Sequence, residues 1–156
     1  FRTGMYNLVV EVCEEFTILR IGNEDEPEEL HPTAENPVIF GDGKFAITWL
    51  PEGYHIVDEK TTDASATIFL AGKSNEDIIT VRVYFHAGFE TTIDTENADS
   101  VSDIECNGFP GLLVHKDSRI QVAWADLTQS YIYSVFAFHC TEETLLSISE
   151  GLICLA

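Results

Sequence analysis

The chain has 156 residues, enough for one domain with a real core, and 45% of them are hydrophobic, which excludes a disordered polyanion. Against 8 Lys and Arg stand 27 Asp and Glu, a formal net charge of −19. So negative a surface repels phosphate backbones and anionic lipid headgroups, which argues against nucleic-acid binding and against a polybasic membrane patch.

The same charge favours solubility, and it attracts cations or a basic partner. Apolar stretches such as 135–138 fall far short of the ~20 residues that a spanning helix needs. No signal peptide is visible, and a chain that starts at Phe1 leads us to expect a segment removed before it. Ten Phe residues point to an aromatic core.

Taken in chain order, residues 2–16 read as a helix. Met5, Val9, Val12 and Phe16 form one apolar stripe, and Glu11, Glu14 and Glu15 take the wet side. Residues 17–21 are β-rich and predict a short strand. From Asn23 to Glu29 the run Asn-Glu-Asp-Glu-Pro-Glu-Glu repels itself, and Pro32, Pro37, Gly41 and Gly43 extend the loop character. Residues 22–44 therefore read as an acidic, mostly irregular connection. The division expected is 1–44 (helix, short strand, acidic loop) and 45–156 (sheet with C-terminal helix), one compact domain overall.

Beyond Phe45 the pattern is β. The string Trp49-Leu50-Pro51-Glu52-Gly53-Tyr54 forces a turn into it. Residues 54–60 and 64–71 predict a hairpin around Thr61-Thr62-Asp63. In 78–86, Ile79, Val81, Val83 and Phe85 face one way and Thr80, Arg82, Tyr84 and His86 the other. After an acidic loop at 87–100, strands are predicted at 101–106, 111–116, 119–126 and 130–139. Asn107-Gly108 tolerates the positive φ angles of a tight hairpin turn. The strand at 130–139 is apolar on both faces and is expected at the centre of its sheet. Thr141 is a good N-cap with Glu142 and Glu143 behind it, and Leu145, Ile148 and Leu152 share a face, so a closing helix is predicted. The fold class expected is α+β: an antiparallel meander of about six or seven strands with an N-terminal and a C-terminal helix.

No local motif carries catalysis. The five histidines show neither H-x-x-x-H nor H-x-H spacing, G-x-S-x-G is absent, and Phe40-Gly41-Asp42-Gly43-Lys44 lacks the P-loop spacing and reads as a turn. Cys13, Cys106, Cys140 and Cys154 include no C-x-x-C pair; free, buried thiols and one or two disulfides both fit. Asp94 to Glu105 has the first-to-twelfth spacing of an EF-hand loop, with Glu96 and Asp99 between. Asp99 replaces the required Gly and the flanks are strand-like, so Asp94, Glu96, Asp99 and Glu105 stand as weak calcium candidates beside a reading as solvated loop. No cofactor is expected. Trp124, Tyr131, Tyr133 and Phe136 would line an apolar pocket if a curved sheet encloses one; otherwise they are core.

Trp49–Tyr54, Asn107-Gly108, Gln121-Val122-Ala123-Trp124, Tyr131 and Thr141-Glu142-Glu143-Thr144-Leu145-Leu146-Ser147-Ile148 occur in that order. Over residues 45–154 this resembles a bacterial family of domains of unknown function. In that family the domain forms the extracytoplasmic C-terminal part of single-pass membrane proteins of Gram-positive bacteria, some with a cytoplasmic region similar to anti-sigma factors. The chain departs from the family at Asn107, where relatives carry an apolar residue, and at Ser149-Glu150-Gly151, where they carry Ala-Glu-Ser. The resemblance implies no catalytic residue. It implies a non-enzymatic sensor or protein-interaction domain on the extracytoplasmic face of the cell membrane. The membrane would be reached only through an N-terminal anchor absent from the chain, and the partner, protein or small molecule, is unidentified. A lipid or small-molecule carrier is the alternative.

Overall fold

In the computed structural model, residues 29–74, 76–85 and 98–155 are described. They form ten strands and one helix: β1 (Val38–Phe40), β2 (Phe45–Ile47), β3 (His55–Thr61), β4 (Ser65–Ala71), β5 (Ile78–Phe85), β6 (Ser100–Cys106), β7 (Phe109–Lys116), β8 (Arg119–Asp126), β9 (Tyr131–Phe138), α1 (Glu142–Glu150) and β10 (Leu152–Cys154). The α+β expectation is therefore corrected. Among the described residues the protein is mostly β, in two antiparallel sheets, with a single nine-residue helix. The helix expected at 2–16 and the strand expected at 17–21 lie outside the described residues.

The larger sheet has seven strands in the order β3-β4-β5-β9-β8-β7-β6. This is not a plain meander. After β5 the chain resumes at the far edge with β6 and returns strand by strand until β9 pairs with β5. Composition accounts for the choice. β9, apolar on both faces, takes the centre, where Tyr133 and Val135 sit on one side and Ile132 and Phe136 on the other, all buried. β6 carries Ser100, Ser102, Asp103 and Glu105, exposed polar residues that suit an edge. The β6–β7 turn is the expected two-residue loop, with Asn107 at φ 54° and Gly108 at φ 83°.

The smaller sheet, β1-β2-β10, was not expected. β1 and β2 pair across the 44/45 boundary, and β10 joins β2 through Leu152↔Ile47, Ile153↔Ala46 and Cys154↔Phe45. The closing helix is accordingly shorter than its apolar spacing implied. Thr141 caps it as anticipated, its hydroxyl accepting the Thr144 N–H at 3.1 Å. At the other end the Thr48 N–H and hydroxyl both donate to the Gly151 carbonyl, at 2.9 and 2.8 Å, and turn the chain into β10. Asn107 Nδ2 also donates to the carbonyls of Ser149 (3.2 Å) and Leu152 (3.3 Å). The Asn107 turn is thus bonded to the segment that joins α1 to β10.

The core lies between the inner face of the large sheet, helix α1 and the small sheet. It gathers Phe40, Phe45 and Ile47 from below, Ile68, Val81, Val122, Trp124, Tyr133 and Val135 from the large sheet, and Leu145 and Ile148 from α1. The outer face holds two smaller clusters, Phe69 with Ile78 and Val114 with Ala123. Among the described residues, Lys60 lies over Phe69, Arg82 over Tyr84 and Arg119 over Phe136. The buried pair Gln121 and Ser134 satisfies itself there, the amide donating to the hydroxyl at 2.9 Å.

Candidate functional site

In an antiparallel sheet, alternate turns emerge at the same end. The β3–β4 turn, the end of β5 and the β8–β9 turn therefore share one end of the large sheet, and the β1–β2 turn of the small sheet meets them there. Together they bound an open cleft of about 350 Å³ lined by Gly41, Asp42, Lys44, Thr61, Thr62, Asp63, Phe85, Gln129 and Tyr131.

Local chemistry fixes each wall. Gly41, Asp42 and Gly43 all have positive φ, closing the β1–β2 turn with a Lys44 N–H to Gly41 carbonyl bond of 3.2 Å. A Cβ on Gly41 would stand 2.7 Å from the Phe45 ring and 3.0 Å from Ala66 Cβ, so only glycine lets this turn sit against β4. The Leu155 N–H donates to the Lys44 carbonyl at 2.7 Å and holds the turn from the other side. Across the cleft, the Thr62 hydroxyl accepts the N–H groups of Ala64 and Ser65, both at 3.1 Å, and presents Asp63. The buried Asp126 carboxylate accepts the N–H groups of Thr128 and Gln129 at 3.0 and 3.3 Å, which sets Gln129 on the rim.

The floor is aromatic. Phe85 and Tyr131 lie with ring centroids 5.6 Å apart, and the Lys44 ammonium stands over Phe85 at 5.5 Å. Phe45 packs beneath both, and the series continues through Tyr133 to Trp124, whose rings stack at 5.2 Å with planes 10° apart. Cys154 donates its thiol to the Gln129 side-chain oxygen at 3.8 Å, tying the rim to the last strand. Burial, with Cys154 and Asp126 close by, raises the Tyr133 phenol above its ordinary value, so it stays protonated.

The structure brings together three of the four proposed pocket residues. Tyr131 lines the cleft, and Tyr133 and Trp124 lie behind it in the core, packed on each other. Phe136 sits on the outer face, against Phe138 and Arg119. Of the calcium candidates, Asp94 and Glu96 lie outside the described residues. Asp99 precedes β6 and spends one oxygen on the Asp117 N–H at 2.9 Å. Glu105 lies at the other end of that strand, roughly 20 Å along it. Among the described residues, no group of three His, Cys, Asp or Glu is placed to hold a metal ion. Among the described residues, Cys106 and Cys140 are free thiols; Cys13 lies outside the described residues. Three histidines each face one carboxylate, His31 with Glu29, His115 with Glu142 and His139 with Glu76, while His55 is buried rather than at the surface.

Compared with known families, residues 44–152 match "Domain of unknown function (DUF4367)". The chain belongs to this family. No curated protein matches it, and no solved structure does. For this DUF4367 domain the cleft residues left no motif in the sequence. Asp42 and Lys44 read as one turn and Asp63 as another, and only the shared end of the hairpins could have linked them.

Proposed function

We propose that this DUF4367 domain is a non-catalytic sensor or protein-interaction module. It would be held on the extracytoplasmic face of a cell membrane by an anchor N-terminal to it, as the outer part of an anti-sigma-like regulatory protein. The observation that carries the reading is the cleft itself, whose walls come from both sheets. An occupant touching the β1–β2 turn and the β3–β4 and β8–β9 turns together bears on how the small sheet sits against the large one.

That placement has a route toward the N-terminus. The small sheet begins with β1, and the chain before it is fastened to the Gly53-Tyr54 turn. The Leu30 N–H donates to the Tyr54 carbonyl at 2.8 Å, and the Gly53 N–H to a Glu29 carboxylate oxygen at 2.6 Å. Strain at the cleft would reach the tether through these contacts, and the net charge would keep the domain off anionic headgroups. The lining is rich in charged and hydroxyl groups, which favours a polar partner over the alternative of a lipid carrier.

The test is a photo-crosslinking residue at Gln129 or Thr61 in cells making the full-length protein, with Ser102 on the far edge as control. Adducts specific to the two cleft positions are expected. Adducts absent from both, or equal at Ser102, would overturn the reading, as would a gene encoding no apolar span of ~20 residues before Phe1.

A further inference from the structure

We infer that the occupant of this cleft is a basic peptide segment, inserting a lysine or arginine side chain, and that Lys44 holds the place of that side chain in the free domain. The inference rests on the interaction reading above and names its partner chemistry. Three observations converge on it. First, the aromatic floor already accepts a cation: the Lys44 ammonium lies over the Phe85 ring, with Tyr131 beside it. Second, among the described residues no cation is paired with the carboxylates on the rim. Lys44 forms no ion pair with either, and among the described residues neither Asp42 nor Asp63 makes a salt bridge, although both are exposed at the mouth of the cleft. Third, a chain of net charge −19 steers basic segments toward itself.

An incoming ammonium or guanidinium would take the Phe85 face, with Asp42 and Asp63 as counter-ions and Gln129 and Thr61 as polar contacts. Lys44 would be displaced outward. It sits on an exposed turn with one glycine before it, at Gly43, and no atom stands within 4 Å of where a Gly43 Cβ would be, so the turn has open space for that movement. Lys44 thus competes with the ligand, which gives the inference a signature opposite to that of an anion site.

The experiment is fluorescence anisotropy of a labelled peptide of alternating lysine and glycine against the full chain, with a glutamate–glycine peptide as counterpart. The lysine peptide is expected to bind and the glutamate peptide not. Removing the competing cation with Lys44→Ala is expected to tighten binding by about two- to fivefold. Asp42→Asn with Asp63→Asn is expected to weaken it by about two- to thirtyfold. The same charge change made far away, Asp103→Asn with Glu105→Gln on β6, is expected to leave it within about twofold, because screened charges beyond about 10 Å contribute little. The near-ultraviolet circular dichroism of the Trp124–Tyr133 stack checks that each variant is folded.

Weaker binding by Lys44→Ala, equal loss from the remote pair, or equal binding of the glutamate peptide would each overturn the inference. If one of these occurs while the cleft crosslinks persist, the interaction reading stands and the basic partner falls. If the crosslinks also vanish, both fall.

Discussion

Gly111 is the residue whose replacement separates a fold read from contacts from one read from pattern alone. It lies opposite Trp124 in the β7–β8 ladder. A Cβ built there would stand 2.3 Å from the Ala123 carbonyl oxygen, 3.0 Å from Trp124 Cβ and 3.2 Å from Trp124 Cα. The nearest obstacle is backbone, which no rotamer change can move. Gly111→Ala must push β7 and β8 apart by about 0.7 Å, against a strand spacing of about 4.8 Å, which lengthens the flanking ladder bonds. Overpacking of this kind costs about 1–3 kcal/mol, and weakened hydrogen bonds add about 1 kcal/mol. Restricting the unfolded chain offsets about 0.4–1 kcal/mol. The net expectation is a loss of about 2–3 kcal/mol, or roughly 4–12 °C in Tm for a chain of this size. Gly108→Ala is the comparison: its φ is 83° and nothing lies within 4 Å, so it meets only the left-handed backbone penalty of about 1–2 kcal/mol. Urea denaturation of both variants, with unchanged slope, measures the difference. A Gly111→Ala protein as stable as wild type, or more stable than Gly108→Ala, would refute the close approach of the two strands.

Thr141→Ala removes the hydroxyl that accepts the Thr144 N–H and should cost about 1 kcal/mol by the same denaturation assay, while Thr141→Ser should cost less. Asn107→Ala loses the bonds to Ser149 in α1 and Leu152 in β10 and places a less suitable residue at positive φ, so a loss of about 1–3 kcal/mol is expected. Faster amide exchange in β10 should accompany it. Alkaline pH should destabilise the fold. Burial, then Glu150, pushes the Cys106 thiol from 9.0 up to about 12, and burial, then Asp77 and Cys140, pushes the Tyr54 phenol from 10.0 up to about 12. Both groups are neutral when protonated and both folded values are raised. Their contribution is therefore complete below pH 9 and is lost as pH climbs toward 12, read as a falling urea midpoint across that range. Over the same range, Cys106 should resist a thiol reagent until the protein unfolds.

The seven strands of the large sheet were legible because each carries its own evidence: the alternation of Ile79, Val81 and Val83, the two apolar faces of β9, and Asn107-Gly108 between two β runs. Their order was less so. Alternation says which face a residue takes and nothing about which neighbour a strand pairs with, so the jump from β5 to the far edge left no trace. Helix α1 shows a subtler limit. Leu145, Ile148 and Leu152 keep helical spacing, yet the helix stops at Glu150 because Thr48, about a hundred residues away in sequence, claims the Gly151 carbonyl.

What the sequence determined by itself was therefore local, apart from its net charge of −19: strand and helix propensity, turn positions and the Thr141 cap. What only the tertiary structure decided was every feature made of short or distant pieces. A three-residue strand has no period to read, so β1, β2 and β10 become a sheet only when their unpaired backbone groups find one another. The cleft follows the same rule. Asp42, Lys44, Asp63, Phe85 and Gln129 belong to separate turns and strand ends, and they face one space because antiparallel hairpins return their alternate turns to the same edge.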